Sequence, residues 1–296
     1  MTTKKIATPL SRKAVLVAVN ISQWTARKLD KKVTRETNAK YGAAEDAGRY
    51  NKLLIAAEHL ATLNSLVSSA RDLHHSMTMP WADKGPRILP NALYSQFTDK
   101  FRVLKRDFAI AADQFCREYP AYVTERAKKL NGLYDPKDYP SPAEIRSKFN
   151  LDLRVLPFPE DVEDFRADID DDTLEDIKRE ISETTGKAVD RAMEHTASKI
   201  IEVVGHMSEK LKEFKTNKPG ERKFFLDSLV GNVRELAELL PAFNLTDDPK
   251  LAQIAKRITS ELCVEEAKDL RKNDDARAAV AKSADEIVAA VEKFLA

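Results

Sequence analysis

The residue types able to do chemistry stand in a few dense patches. Between Glu160 and Asp176 there are ten acidic residues and a single basic one, Arg166. Within that stretch Asp168-x-Asp170-x-Asp172 resembles the start of a calcium-binding loop, in which alternate carboxylates wrap one ion. Its sixth position is Thr173 rather than glycine and its twelfth is Arg179 rather than glutamate, which excludes EF-hand geometry. Two-metal phosphoryl chemistry needs carboxylates converging from several elements, and one strand-to-helix junction supplies only part of such a set. Carboxylates at a helix start are favoured by the helix dipole. The patch made by Glu160, Asp161, Glu163, Asp164, Asp168, Asp170, Asp171 and Asp172 is therefore read as a helix opening, with docking of a basic partner as the sharper alternative.

The opposite charge collects near the N-terminus. Arg27, Lys28, Lys31, Lys32 and Arg35 form a broad basic face if residues 23–38 are helical, a candidate polyanion site that neutralises phosphates and releases counterions. Trp24 or Tyr41 would then stack on bases. The plain alternative is a solvated helix face, and no helix-turn-helix, RNP or zinc-finger pattern accompanies it. Residues 1–150 carry 26 Lys/Arg against 15 Asp/Glu, while residues 151–296 carry 23 against 33. Such asymmetry fits either a polyanion partner at one end or two halves that complement each other.

Other chemistry is thin. The five histidines show no HExxH or related metal spacing, and His74-His75, adjacent on a helix, diverge. Gly186-Lys187 lacks the flanking glycine and Ser/Thr of a phosphate loop. Cys116 and Cys263 have no CxxC spacing, which suits small core residues in a reducing compartment. The apolar run Ala14–Val19 is too short for a membrane span. No catalytic set, cofactor motif or metal set emerges, and the chain is read as non-enzymatic.

The elements that must position these residues are mostly helices. Apolar residues make up 43% and charged residues 33%, with eight glycines, which points to a helix-rich chain with a real core. Ala14–Ile21 reads as a buried strand, with Ser22 capping a helix from Gln23 to Asn38. After a loop over Gly42–Gly48, helical periodicity runs from Arg49 to about His75. Met77–Pro90, with three prolines, is read as a packed corner on which two long helices pivot. Trp81, Asp83, Lys84 and Arg87 make it a candidate interaction loop. A second helix runs from Asn91 with a phenylalanine stripe, kinks or restarts at Pro120, and stops at Asn131-Gly132. Ser141-Pro142-Ala143-Glu144 has capping-box spacing. Leu151–Val155 and Phe165–Ile169 alternate as a hairpin, giving three strands with Ala14–Ile21. The pattern over 172–214 predicts one helix of roughly 60 Å, long enough to suggest a coiled-coil-like arm. Three helices follow, about Glu221–Leu240, Pro249–Arg271 and Asp274–Phe294, separated by Pro241 and Asn273.

Ile21-Ser22-Gln23-Trp24-Thr25-Ala26-Arg27-Lys28-Leu29-Asp30, Pro80-Trp81, Gly85-Pro86-Arg87-Ile88-Leu89-Pro90, Asp138-Tyr139-Pro140 and Asp164-Phe165-Arg166 together resemble a family of uncharacterised proteins of bacteriophages, prophages and integrative elements. The resemblance covers roughly the first 215 residues and brings no catalytic residues with it. Members are often encoded near a MoxR-type AAA+ ATPase and a von Willebrand A-domain protein, which implies, by association alone, a partner in an ATP-driven remodelling module or in phage DNA metabolism.

The expectation is a mainly α chain with a small antiparallel β-sheet (α+β), long helical hairpins and an extended coiled-coil-like C-terminal arm, divided into domains at 1–170 and 171–296. Its expected function is that of an interaction or scaffold component in the cytoplasm of a bacterial host, with a protein partner or self-association, no cofactor and no membrane. The alternative is a nucleic-acid-binding accessory protein acting through the basic N-terminal helix.

Overall fold

The computed structural model describes residues 10–158, 170–214 and 225–295. It is mainly helical with a small four-stranded antiparallel sheet and a separate two-stranded ribbon. In order the chain forms β1 (Ala14–Ser22), β2 (Arg27–Leu29), α1 (Lys31–Lys40), β3 (Asn51–Leu53), α2 (Ala61–Ser76), β4 (Met79–Pro80), β5 (Arg87–Pro90) and α3 (Tyr94–Leu130). Then come α4 (Pro142–Ser147), β6 (Asn150–Leu156), α5 (Asp171–Glu213), α6 (Ser228–Phe243), α7 (Pro249–Arg257), α8 (Ala267–Leu270) and α9 (Asp274–Leu295). The sheet order is β4-β5-β1-β6, and β2 pairs antiparallel with β3.

The contacts divide the chain into two compact units that are discontinuous in sequence. Unit 1 comprises Met1–Ala18, Met77–Ser95 and Val155–Ala296; unit 2 comprises Val19–Ser76 and Gln96–Arg154. The expected boundary between 170 and 171 does not coincide with this division. The reason lies in the first half of β1, whose Ala14–Val17 pair with Pro90–Arg87 of β5, so both segments join the C-terminal helices.

In unit 2 the phenylalanine stripe of α3 is the core. Phe97, Phe101, Phe108 and Phe115 are all buried, as are Leu63, Val67 and Ala70 of α2 and Ile145, Phe149 and Leu151 further on. Phe149 meets Phe115 edge-on, with ring centroids 5.5 Å apart. The helix runs through Pro120 without restarting, 37 residues in one element. The expected Gln23–Asn38 helix is replaced by β2 followed by α1. Ser22 ends a strand, its hydroxyl donating to the Lys148 carbonyl at 2.9 Å, and Asp30 is the cap, accepting from the amides of Lys32 and Val33. The expected Arg49–His75 helix loses its first turns to β3 and begins in earnest at Ala61. The capping box at Ser141 and Glu144 forms as expected.

In unit 1, Met77–Pro90 is not a loop between helices. It supplies β4 and β5, with Met79 opposite Ile88 and Pro80 opposite Arg87. Helix α5 spans 43 residues, and its buried positions begin only at Thr185. From there Ala188, Ala192, Ile200, Val204, Met207 and Leu211 are buried, and α5 packs on α9 and α6. Small residues in this stretch let the helices approach. A methyl at Gly205 would sit 3.9 Å from Val288. Pro241 lies inside the last turns of α6 rather than between helices. Helix α7 runs on into one π-helical turn, Ile258–Leu262, and Asn273 caps α9 through the Ala276 amide. Among the described residues no helix is long and apolar enough to cross a membrane. The second strand of the expected hairpin, Phe165–Ile169, lies outside the described residues.

Candidate functional site

The segment Ile21–Asp30 organises unit 2. Between β1 and β2, Ala26 is buried and adopts a left-handed backbone, φ 52°, a conformation that L-residues visit at a cost of about 1–2 kcal/mol. Its carbonyl accepts from the Leu54 amide at 2.8 Å, which holds the turn and starts the β2–β3 ribbon. Trp24 packs edge-on against Phe115 and Tyr119 of α3, with centroids 6.3 and 5.7 Å away. The indole thus pins the segment to the core.

Below the ribbon lies a buried ion cluster. Lys52 of β3 is 6% exposed and places Nζ 2.5 Å from Asp138 Oδ2, 3.3 Å from Asp30 Oδ2 and 3.0 Å from the Leu133 carbonyl. Lys28 reaches the other Asp138 oxygen at 2.7 Å. Burial alone would raise the Asp138 pKa, but hydrogen bonds from Lys28 and Lys52 outweigh it and hold the carboxyl below its ordinary range. The Val33 amide, against a smaller cost of burial and aided by Lys52, holds Asp30 low as well. Burial works against the Lys52 charge, yet Asp138 and Asp30 together hold its pKa above the usual lysine value. Each charge here neutralises another. The Tyr119 and Tyr139 hydroxyls are buried without a hydrogen-bond partner among the described residues, and burial pushes both their pKa values up. The cluster joins two of the motif segments, Lys28 and Asp30 of one and Asp138 and Tyr139 of the other, through Lys52, which belongs to neither.

On the solvent side of the same segment is a cavity of about 410 Å³. Ile21, Leu53, Ile55 and Leu60 make its apolar floor, Gln23 and Asn64 donate and accept across it at 2.7 Å, and Arg27 and Arg71 line it. A larger, mainly apolar cavity of about 520 Å³ lies in unit 1 beside the π-helical turn, lined by α6, α7 and Lys256.

The basic face of the sequence does not form as one helical surface. Arg27 and Lys28 lie on β2, where successive residues face opposite ways, while Lys31, Lys32 and Arg35 lie on exposed positions of α1. Lys28 is held by Asp138, and Lys32 sits 3.9 Å from Glu36. The candidate interaction loop is also dispersed. Arg87 is part-buried in β5, where its guanidinium donates to the Thr78 hydroxyl at 2.7 Å and carbonyl at 3.0 Å. Trp81 is half-buried, edge-on to Phe158 at 5.0 Å. Asp83, 94% exposed at its side chain, reaches Arg191 at 3.4 Å, and Lys84 is exposed. Of the acidic patch, Asp170 caps α5 through Thr173, and Asp171 and Asp172 sit exposed in its first turn. Glu160, Asp161, Glu163, Asp164 and Asp168 lie outside the described residues. His74 is buried, its ring 5.8 Å from that of His75. Cys116 and Cys263 are free and half-buried, and burial raises both thiol pKa values.

One grouping has no signal in the sequence. Glu58 and His59, on a 3-10 turn, meet Glu125 of α3 with one donor atom from each within 4.8 Å of the others. His59 stacks on Tyr122 at 3.8 Å and bonds Glu125 at 3.2 Å. The Tyr122 hydroxyl, pushed up to about 12 by burial and by Glu118, donates to the Glu118 carboxylate. The set has the donors for a divalent cation, but Lys129 already holds Glu125 Oε1 at 2.6 Å. Glu125 would then ligate through Oε2, the oxygen that faces His59. The separation of 66 positions between His59 and Glu125 hides the grouping from any spacing rule.

Compared with known proteins, the chain matches no family model, no curated protein and no solved structure.

Proposed function

We propose that this protein is a non-enzymatic interaction component of a phage or mobile genetic element, acting in the cytoplasm of its bacterial host through the N-terminal turns of α5. The observation that supports this reading is the unburied start of that helix. Residues 171–184 contain no buried position, yet Leu174, Ile177 and Ile181 recur at helical spacing and are only half-covered. A helix that exposes an apolar stripe beside the acidic residues Asp170, Asp171 and Asp172 offers the surface that a basic, amphipathic partner helix recognises.

The partner proposed from the resemblance is a MoxR-type AAA+ ATPase or its von Willebrand A-domain companion, with self-association as the other arrangement. Co-purification with each neighbouring gene product, followed by size exclusion with light scattering, tests it. A complex is expected with the natural chain and is expected to be lost in Leu174→Glu/Ile181→Glu without a change in thermal midpoint. A compact monomer that captures neither protein refutes the reading.

A second reading is nucleic-acid binding, favoured by one observation. Arg27, Lys31 and Arg35 are exposed, and none has a carboxylate partner among the described residues. It predicts a mobility shift at low salt that weakens steeply as salt rises and drops in a triple Arg27→Glu/Lys31→Glu/Arg35→Glu chain. No shift with single or double strands ends that alternative.

A further inference from the structure

Several cations of unit 2 are matched by carboxylates or carbonyls. Lys28, Lys52, Lys105, Lys129 and Arg146 each hold a carboxylate, and Arg126 donates to the Leu53 carbonyl. Arg27 and Arg71 are set apart by their place. They line the same cavity of about 410 Å³, no Asp or Glu is among its lining residues, and neither guanidinium has an ion pair among the described residues. Two like charges lining one cavity raise the local concentration of an anion that can reach both.

We propose that this cavity binds the phosphomonoester group of a small, partly apolar molecule of nucleotide size. A phosphomonoester carries close to two negative charges near neutral pH and offers three acceptor oxygens, so it compensates both guanidiniums, whereas a carboxylate compensates one. The planar fork of arginine matches phosphate oxygens in pairs. The rest of the cavity suits the organic part. Ile21, Leu53, Ile55 and Leu60 give an apolar floor, and the Gln23 and Asn64 amides, already bonded at 2.7 Å, present donor and acceptor edges to ring heteroatoms. The volume lies within the range of small-molecule sites. Ala26 fixes the backbone between the lining residues Thr25 and Arg27 in a left-handed turn held by the Leu54 amide, a local strain of the kind found where a binding loop is pre-set.

The test uses the full chain at low ionic strength and titration calorimetry with three carriers of the group: inorganic phosphate, a nucleoside 5′-monophosphate and a 5′-phosphorylated oligonucleotide. The unphosphorylated nucleoside serves as the control. Saturable binding of a phosphorylated carrier at one site is expected, about tenfold or more above the control, with each of Arg27→Gln and Arg71→Gln weakening it by about tenfold and the double variant abolishing it. Both arginines are exposed, so the variants are expected to keep the natural thermal midpoint. Trp24 lines the cavity, so its emission in a Trp81→Phe background is expected to change on binding. If the oligonucleotide alone binds, and the double variant loses it, the phosphate belongs to a nucleic-acid end. Absence of saturable binding by all three carriers overturns the proposal, as does binding that the double variant retains. Leu174→Glu is expected to leave phosphate binding unchanged, so this proposal and the interaction reading fail independently.

Discussion

Lys52 converts buried charge into position, and its energetics are set by what happens when one member leaves. Lys52→Met takes one cation from each of two carboxylates, one of them buried, and is expected to cost about 3 kcal/mol, the usual penalty for breaking a buried pair. Asp138 and Asp30 have folded pKa values below their unfolded ones, so each stabilises the fold above the unfolded value of about 3.9 and loses that contribution as pH falls through the lower folded value. For Lys52 the sign reverses: its contribution is complete below about 10.4 and fades only as pH rises through the raised folded value. Urea midpoints are therefore expected to be flat in the neutral range and to fall below about pH 4, with a shallower acid slope in Asp138→Asn. An identical slope in that variant contradicts this account. Tyr119 gives the opposite test. Its hydroxyl is buried with no partner among the described residues, so Tyr119→Phe removes an unmet desolvation cost and is expected to be neutral or stabilising by up to about 1 kcal/mol in the same titrations.

At the scale of elements, Trp81 gives the sharpest test. Half-buried with Phe158 as its aromatic neighbour, it is expected to lose only about 1–2 kcal/mol on truncation to alanine, less than a fully buried aromatic. A double-mutant cycle with Phe158→Ala is expected to return a coupling of about 0.5–1.5 kcal/mol, and a coupling near zero would remove the contact from the energetics. What could be read from the sequence divides along similar lines. The Ser141–Glu144 box, the phenylalanine stripe of α3, β1 and α5 were legible because their signals are local: a cap three residues from its partner, a periodic face, a β-branched run. Residues 27–29 were not. All three are exposed, so β2 has no alternation of burial to betray it, and its partner β3 lies beyond a helix and a loop. The same charges at near-helical spacing then mimic an amphipathic face. Met77–Pro90 misled for a related reason. Its prolines exclude helix but not short strands, since Pro80 and Pro90 sit at strand ends where a missing amide removes little. The ion cluster and the arginine cavity were invisible as such, because each is assembled from segments that only the fold brings together.

At the scale of the whole molecule, the two units interleave along the chain, and β1 contributes a half to each. Lys13 donates to the Leu245 carbonyl across 232 residues, whereas the long closure of unit 2, Ser22 to Lys148, spans 126. Loop-closure entropy grows so slowly with length that this difference amounts to only ~0.5 kcal/mol. In a refolding tube that is too little to impose an order, and pulse-labelled hydrogen exchange is expected to find amides of both units gaining protection over overlapping times. On the ribosome the order is absolute. When residue 154 has been made, every segment of unit 2 exists, while the amino-terminal strand of unit 1 has β5 beside it and lacks all of α5–α9. A nascent chain thus carries a half-finished unit, with Lys13 waiting for a partner more than two hundred residues downstream. The pace of synthesis through the C-terminal half, rather than the stability of the finished fold, then sets how long that surface is offered to chaperones and to neighbouring nascent chains.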